Sequence, residues 1–482
     1  MKRSIISLLL VLSMLLGTVA MASCSNTGDG GNDGNGGANK VTYEVPAEGY
    51  DGSEVTITFY HSMGAKLQGV LNEYIPVFNE LYPNITVEHS SMGDYDGVRD
   101  QIKTALTAGN QPNIAYCYPD HVAMYNIAKS VVTLDNLIAS ELVIPGTNEV
   151  LGLTEAQRND FIESYYNEGL AYGDGLMYTM PLNKSTEVLY YDKTFFEENE
   201  LSVPTTWDEL WDTCEKILAI DSDCYPLGYD AEDNWFITLC EQMESGYTSA
   251  ANGGEYLFNN DTNKAFVKEL REYYQKGYFT TQELYGSYTS NLFVETTDTR
   301  CYMCIGSSGG ASYQMSNNDT ADGKFAFEVG VAPIPQYNAE NRKVISQGPS
   351  LCILQGESTT DQQVLASWLF VKFLCTNVDF QAEFSMASGY MPVLKSVTEN
   401  ENYAAWLAKG NGYEYLVAKC VQVGIDGRDD YFVSPAFNGS STARVQVGAL
   451  LLKCLSGEAS TEEEINNLIN TAFSDAIDEC EY

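Results

Sequence analysis

The sequence predicts an α/β protein built in two lobes. Three observations point there: strand-like and helix-like segments alternate at short intervals after residue 54, the roughly 430 residues beyond residue 53 exceed what a single core encloses, and aromatic residues make up 12% of the chain. With 33 tyrosines among them, the chain can fill large cores and also line a cleft with rings that hydrogen-bond.

The alternation begins at Val55, Ile57 and Phe59, which take every second position of a strand ending at Tyr60-His61-Ser62-Met63-Gly64. Leu67, Val70, Leu71, Tyr74, Phe78 and Leu81 follow at helical spacing, with a kink expected at Pro76. A second strand around Ile85 and Val87, a helix through Val98, Ile102 and Leu106, and a third strand from Ile114 to Tyr118 complete a β-α-β-α-β series. Such a series predicts an open, mostly parallel sheet covered by helices on both faces. Ligands of such sheets sit beyond the carboxyl ends of the strands, where Tyr60–Gly64 and Tyr118–His121 fall. Further along, Leu189-Tyr190-Tyr191 reads as a strand, Thr206 with Glu209 as a capping box, and Thr461 with Glu464 as the start of a last helix. In that helix Ile465, Leu468, Ile469, Ala472, Phe473 and Ala476 form one apolar stripe.

The N-terminus carries a different signal. Lys2 and Arg3 precede an apolar run from Ile5 to Leu16, which is too short for a span of about 20 apolar residues and reads as a signal peptide over 1–23. Met21-Ala22-Ser23-Cys24 is similar to a bacterial lipobox with Met where Leu is preferred; cleavage after Ala22, with free secretion, is the alternative. From Ser25 to Lys40 the chain holds six glycines among Asn and Asp, so 24–53 is expected to be a lipidated Cys24 and a flexible tether. Its root-mean-square reach is about 30 Å. Removing Lys2 and Arg3 takes the formal charge from −40 to −42, which excludes nucleic acid as a partner. Of the 12 cysteines, eleven lie beyond Cys24 without a regular framework, and their odd number cannot all pair. Buried free thiols are expected, with one or two disulfides left open.

Catalytic patterns do not hold together. Gly306-Ser307-Ser308-Gly309-Gly310 satisfies G-x-S-x-G, but His61, His89 and His121, the only histidines, all precede it, against the Ser, acid, His order of α/β-hydrolases. A loop of hydroxyls and backbone N–H groups gripping a polar ligand fits these residues better. Cys301-x-x-Cys304 has no second pair to complete a zinc site, and no nucleotide-binding glycine motif occurs. No cofactor or metal is expected. Because 66 acids always contain some carboxylate pair, a secreted glycoside hydrolase or other carbohydrate-active enzyme stands as the alternative.

Several blocks, in order, resemble one family: Phe59-Tyr60-His61-Ser62-Met63, Gly93-Asp94-Tyr95, Ala108-Gly109-Asn110-Gln111-Pro112, Pro181 through Lys193, Pro204-Thr205-Thr206-Trp207, Gln347-Gly348 and Ser388-Gly389-Tyr390-Met391-Pro392. From about Glu54 to the end the chain is similar to the family 1 extracellular solute-binding proteins of bacterial ABC importers, in particular the branch for glycerol 3-phosphate and its diesters. The resemblance implies a periplasmic-binding-protein-like fold of type II with a ligand cleft between lobes, 54–183 plus 348–430 forming one and 184–347 plus 431–482 the other. It implies a noncatalytic, monomeric lipoprotein on the outer face of the cell membrane. Such a protein captures a carbohydrate-type solute, glycerol 3-phosphate, a glycerophosphodiester or an oligosaccharide, and hands it to permease subunits. By motif, Tyr95, Ser185, Ser307 or Ser308, Gly348, Tyr390 and Arg444 fall on ligand-contacting positions, and Asp120 takes the family's acidic one. Arg444 would grip a phosphate, Asp120 accept from hydroxyls, and Tyr95, Tyr390 or Trp235 offer a ring.

Overall fold

The structure, a computed structural model, describes residues 42–295, 299–315, 326–408 and 412–481. The expected leader, the expected lipidation position Cys24 and most of the expected tether therefore lie outside the described residues. No helix among the described residues is long and apolar enough to cross a membrane.

The first sheet gathers β1 (Val55–His61), β2 (Ile85–Ser91), β3 (Ile114–Cys117) and β4 (Met180–Pro181), with α1 (Ala65–Leu81), α2 (Tyr95–Ala108) and α3 (Pro119–Tyr125) between them. The second gathers β5 (Glu187–Asp192), β6 (Tyr225–Tyr229), β7 (Phe279–Thr281), β8 (Cys301–Ser307) and β9 (Val329–Pro333), with α4 (Trp207–Ile220), α5 (Glu232–Gln242) and α6 (Asp261–Gln275). The chain then returns as β10 (Ser350–Ile353) to the first sheet, whose order is β2-β1-β3-β10-β4; the second runs β9-β5-β8-β6-β7. Two apolar cores form: the first covers the first sheet and reaches Val188, Tyr190, Cys301, Cys304 and Val329 of the second, and the other holds the rest of the second sheet; Pro76 lies inside α1, which continues through it.

The sheets are mixed rather than mostly parallel. β1 pairs in parallel with β2 and β3, but β10 runs antiparallel to both β3 and β4. In the second sheet β5 is antiparallel to β8 and β9. The reversed strands are those entering or leaving through the connections between lobes, so their direction follows from which end of the sheet they arrive at, which local periodicity does not report.

Beyond β10, α7 (Asp361–Thr376) and α8 (Val378–Ser388) cover the first sheet, and α9 (Gly412–Asp426) packs against α8 on one side and β9 on the other, touching both lobes. The last two helices, α10 (Ser440–Ser456) and α11 (Glu462–Glu481), lie on α5 and α6. Both expected caps form: the Glu209 amide donates to Thr206 Oγ1 (3.3 Å) and the Thr206 amide to Glu209 Oε2 (3.2 Å), with the same exchange between Thr461 and Glu464. Ile469, Ala472, Phe473 and Ala476 of the final stripe are buried.

Two expectations need correction, and the question of disulfides closes in favour of the expected free thiols. The expected tether does not extend to residue 53, because residues 42–53 dock on the first lobe: the Tyr43 amide donates to Thr133 Oγ1 (2.7 Å), Asn136 donates to the Tyr43 carbonyl (2.8 Å), and Tyr50 is buried. Two tyrosines that bury or hydrogen-bond are enough to order a stretch whose glycine content suggests coil. The eleven cysteines beyond Cys24 are all free thiols, ten of them buried as ordinary core residues. Trp235 does not reach the cleft. It is fully buried in the second core, stacked on Tyr229 at 4.3 Å between ring centroids and packed edge-on against Phe279. Trp235→Ala is expected to lower stability by about 3–5 kcal/mol, the usual cost of emptying a large aromatic site. Urea denaturation of the variant checks it, and a loss below about 1 kcal/mol is incompatible with this packing.

Candidate functional site

Two crossing segments connect the lobes and form the floor of the space between them. The Ser185 amide donates to the Gln347 carbonyl (2.9 Å) and the Gln347 amide to that of Ser185 (2.8 Å), so the crossings are tied as a short antiparallel pair. Beside it the Lys184 amide donates to the Met391 carbonyl (3.0 Å) and that of Met391 to Lys184 (2.6 Å). The Lys184 side chain has no exposure; its Nζ lies 2.5 Å from Glu168 Oε1 and 3.4 Å from the Gly348 carbonyl. Gly348 has φ +94°, and a Cβ there would stand 2.7 Å from the Asn183 carbonyl oxygen, so the close crossing demands glycine.

Above this floor lie two adjoining cavities of about 560 and 760 Å³ that share Asp94, Tyr95, Tyr118, Tyr288 and Gln347 and form one long cleft. Its walls come from both lobes. The first lobe contributes tyrosines: Tyr95 and Tyr118 pack at 4.5 Å between centroids, and the Tyr95 and Tyr390 hydroxyls meet at 3.3 Å. These sit at the carboxyl end of β3, at the start of α2 and after α8, as expected for a sheet of this connectivity. Burial pushes the Tyr95 and Tyr390 phenols up, so they act as neutral hydrogen-bonding rings.

The second lobe contributes acids. Glu187, at the first position of β5, is buried; Tyr229 Oη donates to its Oε2 (2.7 Å), while Oε1 has no hydrogen-bond partner. Burial raises its pKa to about 8. Asp230, at the carboxyl end of β6, accepts from the Thr289 amide and hydroxyl (2.8 Å each), and burial raises it to about 6. The next residue, Ala231, lines both cavities and holds φ +64°, a backbone position unfavourable for a residue with a Cβ.

Arg444 on α10 reaches the smaller cavity, but its charge is already matched. Nη1 lies 3.0 Å from Asp233 Oδ2 and also donates to Asn234, Nε stands 3.4 Å from Asp120 Oδ2, and Nη2 donates to Ser434. Burial works against its charge, yet Asp233 and Asp120 hold it firmly protonated. The Asp120 contact joins the lobes, since Asp120 lies on α3. Burial opposes the Asp120 charge as well, but His121 and Arg444 keep its pKa below the usual carboxylate value.

The structure thus brings together in the cleft Tyr95, Asp120, Ser185, Ser307, Tyr390 and Arg444 of the residues singled out from the sequence. It does not place Ser308, Gly348 or Trp235 there. Ser308 is fully buried, exchanging hydrogen bonds with the Thr186 backbone (2.8 and 3.3 Å), so it clamps a crossing segment rather than facing solute or acting as a nucleophile. Gly348 belongs to the floor. Glu187, Asp230 and Asp233 were not singled out, and Tyr118 entered only within the stretch expected beyond β3; the position of Asp230, directly after a strand and before a helix, was the available signal.

A cleft between two α/β lobes, floored by paired crossings and walled by tyrosines and carboxylates, defines a receptor for a small polar solute. Residues 73–410 match the family model described as bacterial extracellular solute-binding protein, and the chain belongs to that family. Among curated relatives it is 25% identical over 373 residues to the sn-glycerol-3-phosphate-binding periplasmic protein UgpB of Salmonella typhimurium, covering 74% of this chain and 78% of that one. The solved structure of UgpB from Mycobacterium tuberculosis in complex with glycerophosphocholine matches with a TM-score of 0.69 at 17% identity, over 89% of this chain and 98% of that one. The acarbose-binding GacH receptor of Streptomyces glaucescens matches with 0.67 at 16% identity, over 88% and 98%. Both share the two-lobed fold of type II. The matches give no support to a carbohydrate-hydrolysing alternative.

Lys184→Met is expected to destabilise the protein by about 3–5 kcal/mol, because it leaves Glu168 buried without its partner. Adding Glu168→Gln to the same chain should recover part of that loss in urea denaturation; an unchanged single variant would show that the pair is not what holds the floor.

Proposed function

We propose that this chain is the solute receptor of an ABC importer, anchored through Cys24 outside the cytoplasm, and that its solute is a neutral polyhydroxy compound of oligosaccharide size. The observation that carries the ligand class is the pairing of Arg444 with both Asp120 and Asp233. An anionic phosphate entering the smaller cavity would meet one guanidinium and two carboxylates, and no net positive charge remains to hold it. Hydroxyl groups, by contrast, find acceptors in Asp120, Asp230 and Asp233, and sugar faces find the Tyr95, Tyr118 and Tyr390 rings. The length of the combined cleft suits more than one ring. The resemblance to glycerol-3-phosphate receptors supports the competing phosphate-ester reading.

Capture without chemistry follows from the same residues. Solute bridging the tyrosine wall of one lobe and the acid wall of the other favours the closed arrangement, and that form is the one presented to permease subunits. The serine of the G-x-S-x-G pattern lies beneath Thr186 and Met391, out of reach of a substrate.

Two measurements test this. In a thermal-shift panel, a neutral oligosaccharide at 100 times its Kd should stabilise the protein by about 2.7 kcal/mol, and glycerol 3-phosphate should not shift it. A shift with glycerol 3-phosphate alone reverses the ligand assignment. In cells, Cys24→Ser should move the protein from the membrane fraction to the medium or the soluble extracytoplasmic fraction; membrane retention would overturn the anchor.

A further inference from the structure

The larger cavity holds one group that the capture mechanism has not used. Glu187 is 1% exposed and lines the cavity, with Oε2 held by the Tyr229 hydroxyl at 2.7 Å. Its Oε1 is buried and has no hydrogen-bond partner within the protein. A buried polar atom left this way is costly, and a site that tolerates it commonly satisfies it with ligand. The residue is fixed from below: Tyr229 itself is buried and stacked on Trp235 at 4.3 Å with the rings 7° from parallel, so the phenol holding Oε2 cannot swing away. Ser307 and Tyr390 line the same cavity, the latter bringing a ring from the other lobe.

We propose that Glu187 is a specificity-determining residue of this receptor, with its Oε1–H donating a hydrogen bond to a hydroxyl or ether oxygen of the bound solute. The inference rests on the polyhydroxy reading above and names the group that selects for an acceptor oxygen at this end of the cleft. The proton stays on the carboxyl group because burial outweighs the two neighbours that favour its charge, the Tyr229 hydroxyl and Arg444. Burial acts first and Asp233 and Asp230 add to it; the Tyr229 bond to Oε2 pulls the other way, as does Arg444, which is itself paired with Asp233 and Asp120. Asp94, Lys66 and the Tyr95, Tyr288 and Tyr390 phenols face the cavity from across it. A carboxylic acid that remains neutral near pH 7 can donate where an aspartate or glutamate on the surface only accepts.

The sign of the pH dependence follows. Solute binds the protonated form, so affinity is full below about pH 8 and falls as pH rises through that value, towards tenfold per unit. Asp230, at about 6, titrates in a lower window and leaves the range from 7 to 9 to Glu187. Calorimetric titration of the full chain with the neutral oligosaccharide found in the panel, at pH 6.5, 7.5, 8.5 and 9, is expected to show this loss. Glu187→Gln, whose amide donates as the acid does, should bind within about threefold of the wild type at pH 6.5 and lose the alkaline decline; Glu187→Ala should bind at least tenfold more weakly throughout. Flat wild-type affinity overturns the proposal alone, as does affinity rising with pH, which marks an ionised Glu187 accepting from the solute. Binding of no neutral oligosaccharide at any pH overturns the polyhydroxy reading and this proposal with it. Carboxyl-region infrared difference spectra of wild type against Glu187→Gln test the same group without solute: a protonated carboxyl band lost in the variant at pH 7 is expected, and its absence overturns the proposal.

Discussion

Everything the cleft can do depends on the backbone exchange between Ser185 and Gln347. Two hydrogen bonds, of 2.9 and 2.8 Å, are the point where the two passages between lobes become one structural unit. The rest of the floor exists to permit them to approach. Gly348 removes the Cβ that would strike Asn183, Ser308 ties down Thr186, and the buried Lys184 and Glu168 satisfy one another beneath. A buried ion pair is a poor source of stability compared with apolar packing, but breaking one is expensive, and that asymmetry suits a place where strand register and the facing of two lobes must be unique.

The same floor sets the chemistry above it. Because Ser185 and Glu187 are two residues apart on one crossing segment, the residue that ties the lobes and the acid at the end of the cleft come from one short run, and the tyrosine wall stands opposite. The electrostatics then sort themselves by neighbours. Asp120 lies near His121 and Arg444 and keeps its charge, whereas burial, with Asp233 and Asp230 nearby, keeps the proton on Glu187. One cleft thereby holds carboxyl groups of opposite character, acceptors at the Arg444 end and a donor at the other. A polyhydroxy solute, whose groups both donate and accept, can use the two ends together.

The strand and helix series from Val55 to Tyr118 and the caps at Thr206 and Thr461 were legible in the sequence, because periodicity and capping are local properties. Tyr95, Asp120, Ser185, Ser307 and Tyr390 were legible because they lie at or beside the ends of elements that open into the cleft, and Arg444 through the family resemblance. Ser308 and Gly348 were found for the wrong reason. They matter to the crossings, and a hydroxyl or a glycine gives the same sign in a sequence whether it faces a ligand or a neighbouring backbone. Trp235 was misplaced because a large ring suits a core as well as a binding wall. Glu187 was passed over inside a quoted motif, since its importance lies in what surrounds it, and those neighbours are 42 or more positions away.

By itself the sequence determined that the chain alternates strands and helices, carries an acidic charge, and lacks a histidine after its serine loop. These follow from composition and from contacts within a few residues. Only the tertiary structure decided that the sheets are mixed, that residues 42–53 dock rather than swing, that Arg444 is held by two acids, and that Glu187 keeps an unpartnered oxygen in the cleft. Each of those depends on groups brought together from distant parts of the chain, and burial and charge pairing are set by that meeting rather than by the identity of any one residue.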